Sequence, residues 1–301
     1  MTLSEEVLRL KKERDAVILS HNYQIGEIQD IADFVGDSLY LSRKAKESKA
    51  KVIVFSGVKF MAETAKILSP EKTVLLPDLE AGCSLSDSIT GEQLRSWKSE
   101  HPGAAVVSYV NTSAEVKAES DFCCTSSNAV EIVRRIPTER EILFLPDMFL
   151  GDYVRRTTGR QNMHLWTGDC FVHTRMRPET VRRQRALHPG AELIAHPECG
   201  CTTEALSEVD RILSTDGMIR FAQETRDAQV MVATEIGILH RIRKLNASTE
   251  FIPLAPDAIC PFMKRNTLEK IRDSLRDLKF EIQLTPEVMD RARKALERMI
   301  A

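Results

Sequence analysis

Val17-Ile18-Leu19-Ser20-His21 is a short apolar run ending in a polar ring, and Val106-Val107-Ser108-Tyr109 repeats it, with Tyr109 standing 88 positions after His21. A second landmark keeps the same distance. Asp33-Phe34-Val35-Gly36-Asp37-Ser38 matches Asp121-Phe122-Cys123-Cys124-Thr125-Ser126, and Ser126 lies 88 positions after Ser38. A third copy starts at Leu193-Ile194-Ala195-His196 and reaches Arg211-Ile212-Leu213-Ser214-Thr215, its spacing drifted by two. Self-similarity of this kind has to be read before anything else, because a missed period miscalls the whole fold.

Working outward, each copy continues through a helical stretch to a strand at 52–55, 142–145 or 230–233, then through another helix to a last strand at 74–76, 164–166 or 251–254. Short apolar strands alternating with helices imply parallel sheets covered on both faces and joined by right-handed crossovers. The expected fold class is α/β: three homologous, doubly wound, three-layer αβα units with parallel sheets about a pseudo-threefold axis. The expected boundaries are 1–83, 84–170 and 171–267, with C-terminal helices in 268–301 packing back on the first unit.

Residues that act on ligands sit past the carboxyl ends of parallel strands. His21, Tyr109 and His196 follow first strands, while Ser38, Ser126 and Thr215 follow second strands. About a threefold axis, all six can face one central cavity. A cysteine also recurs after each last strand, at Cys83, Cys170 and Cys260, with separations of 87 and 90. Three equivalent thiols near an axis make a Cys₃ site, open either to zinc with a free position or to a cubane iron–sulfur cluster with one iron uncoordinated by protein. Such an open metal can act as a Lewis acid toward a hydroxyl or carboxylate. Cys123 and Cys124 read as core; Cys199 and Cys201 lie close enough to His196 to be alternative ligands.

Composition limits the partners. The 301 residues carry 42 Lys+Arg against 44 Asp+Glu, a net charge of −2 that gives no reason to expect nucleic acid or an acidic membrane. No signal peptide is visible, and no apolar run approaches the roughly 18 residues of a membrane span. The expected compartment is a reducing cytoplasm, where seven cysteines are metal ligands, reactive thiols or buried small hydrophobes rather than disulfides.

Several segments together resemble the quinolinate synthase family, the A protein of NAD biosynthesis. They are Ser20-His21-Asn22-Tyr23-Gln24, Gly36-Asp37-Ser38, Gly57-Val58-Lys59-Phe60-Met61-Ala62-Glu63-Thr64-Ala65, Ser108-Tyr109-Val110-Asn111-Thr112, Cys124-Thr125-Ser126-Ser127-Asn128-Ala129, His196-Pro197-Glu198-Cys199 and Cys260-Pro261-Phe262-Met263. They span nearly the whole chain in the family's order. The resemblance implies a [4Fe–4S] cluster on Cys83, Cys170 and Cys260, and condensation of iminoaspartate with dihydroxyacetone phosphate to give quinolinate, phosphate and water. It also implies functional coupling to an aspartate oxidase.

Both substrates are anionic, so the cavity needs donors. Ser38, Ser126 and Thr215 are expected at helix starts, where hydroxyls and free N–H groups bind anions or merely cap. His21, His173 and His196 are expected to bind phosphate or carboxylate and to move protons. Glu198 is the candidate base or substrate-orienting group, Tyr23 and Tyr109 the phenolic donors, and Asn111 a carbonyl or carboxylate donor. Phe60 and Met61 read equally as cavity wall and as core. The residues before Cys260 are Asp257, Ala258 and Ile259, so the Cys-x-x-Cys redox pair of some relatives is missing. An open metal would also serve a simple hydro-lyase, which is the rival reading.

Overall fold

Strands that are apolar at every position must be covered on both faces. The computed structural model describes residues 2–203 and 208–301, and among them three four-stranded sheets have the same parallel order. The first contains β1 (Ala16–His21), β2 (Phe34–Gly36), β3 (Val52–Ser56) and β4 (Thr73–Leu75) in the order β2-β1-β3-β4. The second, from β5 (Ala105–Tyr109), β6 (Phe122–Cys124), β7 (Ile142–Leu145) and β8 (Met163–Leu165), runs β6-β5-β7-β8. In the third, β9 (Glu192–Ala195), β10 (Arg211–Ile212), β11 (Gln229–Ala233) and β12 (Glu250–Pro253) run β10-β9-β11-β12. All pairings are parallel, so the α/β reading with parallel sheets holds; the last strands begin and end one residue earlier than the sequence suggested.

Helices α1 (Leu3–Glu13), α2 (Gly26–Ile31), α3 (Ser38–Glu47) and α4 (Lys59–Leu68) accompany the first sheet. Helices α5 (Gly91–Glu100), α6 (Ala114–Ala118), α7 (Ala129–Arg134) and α8 (Met148–Thr158) accompany the second. Around the third lie α9 (Pro178–Leu187), α10 (Thr215–Glu224) and α11 (Ile238–Leu245), followed by α12 (Leu268–Asp277) and α13 (Pro286–Ile300). Helix α12 packs on α1 and β3, whereas α13 lies across α6 and β6 of the second sheet and α4 and α3 of the first. No described helix is long and apolar enough to cross a membrane.

The two faces of each sheet have different partners. Val17, Leu19, Ile53 and Phe55 of the first sheet, Val107, Ile142 and Phe144 of the second, and Ile194, Val230 and Val232 of the third share one apolar core. Their strand neighbours point the other way, as the two-residue period requires. Ile18 and Val54 pack under α1 and α12, Val106 and Leu143 under α5, and Leu193 and Met231 with Val181 of α9.

One polar device occurs three times. Asp33, Asp121 and Asp210 each precede a second strand and bracket one residue of the first strand. Their carboxylates accept the N–H of Ile18 (2.8 Å), Val106 (2.9 Å) and Leu193 (2.7 Å). Their own N–H groups donate to the carbonyls of the same three residues. Asp210 also explains the drift noted in the sequence: counted from this bracket, Thr215 stands where Ser38 and Ser126 stand, so the extra residues fall between β9 and β10. Asp121→Ala is expected to lower unfolding free energy by about 1–3 kcal/mol, the cost of leaving a buried N–H unpaired. Asp121→Asn, which keeps an acceptor oxygen, should lose less. Denaturant melts compare the three proteins, and equal stability of wild type and Asp121→Ala would refute the bracket's importance.

Candidate active site

The carboxyl ends of the strands open on one cavity, the place where ligands bind in parallel α/β sheets. Each unit contributes equivalent positions to its lining. His21 and Tyr109 end β1 and β5, and His196 follows β9; two residues beyond each ring come Tyr23, Asn111 and Glu198. Ser38, Ser126 and Thr215 enter after the second strands and Cys83, Cys170 and Cys260 after the fourth. With His173, all thirteen residues singled out from sequence line this cavity. Phe60 and Met61 line it too, while being almost fully buried in the shared core, so they act as wall and core at once.

The helix starts differ in detail from the sequence reading. Ser38 and Thr215 are first helical residues rather than caps. Asp37 caps α3 by accepting Tyr40 N–H at 2.8 Å, and Ser214 caps α10 by accepting Gly217 N–H at 3.1 Å. The hydroxyls of Ser38 and Thr215 are thereby left for the cavity, beside the positive ends of two ten-residue helices. Ser126 lies in the turn before α7, where Asn128 Oδ1 accepts the Thr125 N–H at 2.8 Å.

Glu198 sits between two imidazoles. Its Oε2 is 3.3 Å from His173 Nδ1 and 3.1 Å from His196 Nδ1, with both histidines and the carboxylate almost fully buried. On the far side of each ring stands a hydroxyl: His196 Nε2 meets Ser126 Oγ at 3.0 Å, and His173 Nε2 meets Thr234 Oγ1 at 3.0 Å. Thr234 in turn lies 2.5 Å from the Tyr23 hydroxyl. His196 Nδ1 also accepts the Glu198 N–H at 3.4 Å, and His173 Nδ1 lies 3.3 Å from Cys170 Sγ. Short contacts thus run through Tyr23, Thr234, His173, Glu198, His196 and Ser126, drawn from all three units. Glu198 Oε1 has no hydrogen-bond partner among the described residues.

Burial would raise the Glu198 carboxyl, but His173 and His196 outweigh it, and with hydrogen bonds from His196 and Tyr109 they hold it below the usual carboxylate range. Burial, with His196 and Lys264 adding to it, pushes His21 down to about 3. Burial likewise takes His173 down to about 4, against the pull of Glu198. At neutral pH Glu198 therefore carries the charge, and the His21 and His173 rings are neutral. Tyr23 and Tyr109 are raised well above 10, by burial first and then by Glu198, so their phenols keep their protons.

The cysteines form a donor set of their own. The backbone N–H groups of the second and third residues after each cysteine pull its thiol downward: Leu85 and Ser86 at Cys83, Val172 and His173 at Cys170, Phe262 and Met263 at Cys260. Donors aimed at sulfur in this way favour a thiolate. Against them stand burial and the neighbouring sulfurs and carboxylates, which push Cys83 up to about 12 and Cys170 well above 9. Three thiolates on one zinc stand roughly 3.8 Å apart, from Zn–S bonds of about 2.3 Å. Among the described residues the three sulfurs are not one of the groups whose ligand atoms gather within 4.8 Å, so the set is spread wider than a single ion requires. The atoms of His173, His196 and Glu198 do gather that closely.

Four neighbours escaped the sequence reading. Thr234 completes the hydrogen-bonded chain. Glu235, fully buried on the cavity wall, accepts the N–H of Cys260 (3.1 Å) and of Gly237 (2.7 Å) and pairs with Lys264 at 2.8 Å. Asp147, also fully buried, is raised well above 4 by burial and by Glu198. Both carboxylates stand two residues past third strands, at the point where Val58 stands in the first unit, and that mismatch hid them. Cys199 and Cys201 do not line the cavity. Both are fully buried in the outer core of the third sheet, and Cys199 donates to the carbonyl of Ala233 at 3.1 Å. Cys123 and Cys124 are core, as expected.

The depressed histidines make stability depend on pH. An unfolded histidine takes its proton near pH 6.5, whereas folded His21 refuses it until about pH 3. Between those values the unfolded chain binds more protons, so stability falls as pH drops through 6.5. From pH 7 to pH 5 the wild type should lose about 2 kcal/mol more than His21→Gln by denaturant titration. Equal losses would show that His21 is not buried neutral.

A family model described as Quinolinate synthetase A protein matches residues 5–301. The chain is 55% identical over 301 residues to a quinolinate synthase of Thermus thermophilus, covering 99% of this chain and 97% of that one. It is 53% identical to a quinolinate synthase of a Mycobacterium species (98% and 90% covered) and 52% to that of Mycobacterium tuberculosis (98% and 87%). A chain matched along this length, with three cysteines, three histidines and Glu198 gathered at one cavity, belongs to the quinolinate synthase family of enzymes.

Proposed function

We propose that the enzyme condenses iminoaspartate with dihydroxyacetone phosphate to release quinolinate, phosphate and two waters, in the cytoplasmic synthesis of NAD. The observation that carries this reading is the single cavity in which three N–H-cradled thiols face a charged carboxylate held between imidazoles. Cys83, Cys170 and Cys260 would hold a [4Fe–4S] cluster. When bound, it supplies one iron free of protein ligands, a Lewis acid for a substrate carboxylate or hydroxyl.

The protein's own groups do the rest. The α3 and α10 N-termini, with the hydroxyls of Ser38 and Thr215, receive phosphate or carboxylate oxygens. Asn111 adds an amide donor, and neutral His21 presents its Nε2–H, because its Nδ1 accepts the Tyr23 N–H at 3.2 Å. Glu198 is ionised and hydrogen-bonded, suited to take a proton from substrate carbon or nitrogen. Tyr23 and Tyr109 keep their protons at neutral pH and serve as donors to departing oxygen. Short contacts through His173 and His196 connect Glu198 to the hydroxyls of Thr234 and Ser126 on either side. Closure of a pyridine ring needs such a base and such donors together. The unstable imine would be supplied by an oxidase acting on aspartate.

Two experiments test this. After anaerobic reconstitution with iron and sulfide, Cys83→Ala, Cys170→Ala and Cys260→Ala should each lose cluster absorbance and quinolinate formation together. A variant keeping both would remove its cysteine from the site, and a wild type that assembles the cluster but makes no quinolinate would bring the hydro-lyase reading forward. Second, Glu198→Gln should lower kcat by about 10²–10⁴ with cluster absorbance retained. Thr234→Val, which severs Tyr23 from His173, should cost on the order of tenfold. Unchanged turnover in Glu198→Gln would reject Glu198 as the base.

A further inference from the structure

His101, Glu141 and His164 lie away from the cavity and serve none of the roles above. His101 caps the C-terminus of α5, Glu141 immediately precedes β7, and His164 is the middle residue of β8, the edge strand of the second sheet. Three segments distant in sequence thus bring two imidazoles to one carboxylate.

Their geometry suits an ion. Glu141 Oε2 is 3.2 Å from His101 Nδ1 and 3.7 Å from His164 Nε2, and all three atoms lie within 4.8 Å of one another. Tetrahedral zinc, with bonds of about 2.0–2.2 Å to nitrogen and oxygen, sets its ligands roughly 3.3–3.6 Å apart, between the two observed spacings. The two imidazole rings lie 4.3 Å apart at 42°, and a nitrogen of each stands within 4 Å of the same Glu141 oxygen. An ordinary ion pair accounts for one of them. The other remains over: His164 Nε2 is shielded from solvent and has no hydrogen-bond partner among the described residues. The side chains themselves stay 23% to 48% exposed, leaving room for water as a fourth ligand.

We propose that His101, Glu141 and His164 bind a divalent transition-metal ion of the zinc class, with water completing the tetrahedron. Two imidazoles and one carboxylate select zinc or nickel over magnesium or calcium, which ask for oxygen alone. The ion ties the end of α5 and the edge strand β8 to the start of β7. Strand β8 pairs with β7 alone and is three residues long, so it is the element that gains most from such a clamp.

The protein carries its own reporter. Its two tryptophans are Trp97 and Trp166; their rings are 5.5 Å apart, and Trp97 is 6.3 Å from the His101 ring. Nickel at the site should quench their fluorescence, and zinc, which has a filled d shell, should displace nickel and restore it. In the anaerobically reconstituted enzyme, Ni²⁺ should quench saturably at one equivalent, Zn²⁺ should reverse the quenching, and Zn²⁺ should raise Tm. His101→Ala and His164→Ala should each abolish all three effects, Glu141→Gln should weaken them, and quinolinate formation should stay unchanged in every case. Absence of saturable quenching in the wild type overturns the proposal, as does quenching that persists in both histidine variants.

Discussion

Val17, Leu19, Val107, Phe144, Ile194 and Val232 come from three different sheets yet pack into one continuous apolar core. That shared burial fixes the geometry of everything else. Within each sheet the strands are parallel, so all four carboxyl ends leave from one edge. When three such sheets press their inner faces together, those edges meet. A slip of one residue in any strand would exchange its inner and outer faces, and the Asp33, Asp121 and Asp210 brackets pin the register at both the N–H and the carbonyl of one residue per unit. The cavity is a consequence of core packing, and its lining is set by how far each residue stands past its strand.

Inside the cavity one charge organises the polar groups. Glu198 is buried between His173 and His196, whose attraction outweighs the cost of its burial. An isolated buried carboxylate would take up a proton. The two imidazoles and the Tyr109 hydroxyl prevent that, while burial first and then the resulting anion raise Tyr23 and Tyr109. An ionised carboxyl and protonated phenols thus share one cavity. Glu235 and Lys264 form a second buried pair with a different task. The carboxylate fixes the N–H of Cys260, while Lys264 also donates to the carbonyl of Tyr23, so the third unit's cysteine loop is tied to the loop that follows β1.

Most of this was legible in the sequence because the units diverged from one pattern while their landmarks stayed in step. His21 and Tyr109, Ser38 and Ser126, and the three cysteines all follow from one period of 88 residues with small drift. The illegible part lies where equivalent positions hold unlike residues. Val58, Asp147 and Glu235 follow third strands in the three units, so no repeat signals that two of them are buried carboxylates. Thr234 carries no motif at all and becomes functional only by standing between Tyr23 and His173, residues 150 positions apart in the chain. The helix caps were displaced by one residue, since Asp37 and Ser214 can cap as readily as the hydroxyls that follow them. Only backbone geometry decides between neighbours of that kind.

The cysteine loops show how backbone and charge act together. Each loop turns directly after its cysteine, which aims the N–H groups of the second and third residues at the sulfur, and this arrangement recurs in all three units although the turn sequences Ser84-Leu85-Ser86, Phe171-Val172-His173 and Pro261-Phe262-Met263 share nothing. Without a cation those donors do not suffice. Burial opposes each thiolate, Cys83 is raised by Cys260, and Cys170 is raised by Glu198 and Cys83. Ionising all three together is therefore costlier than ionising any one.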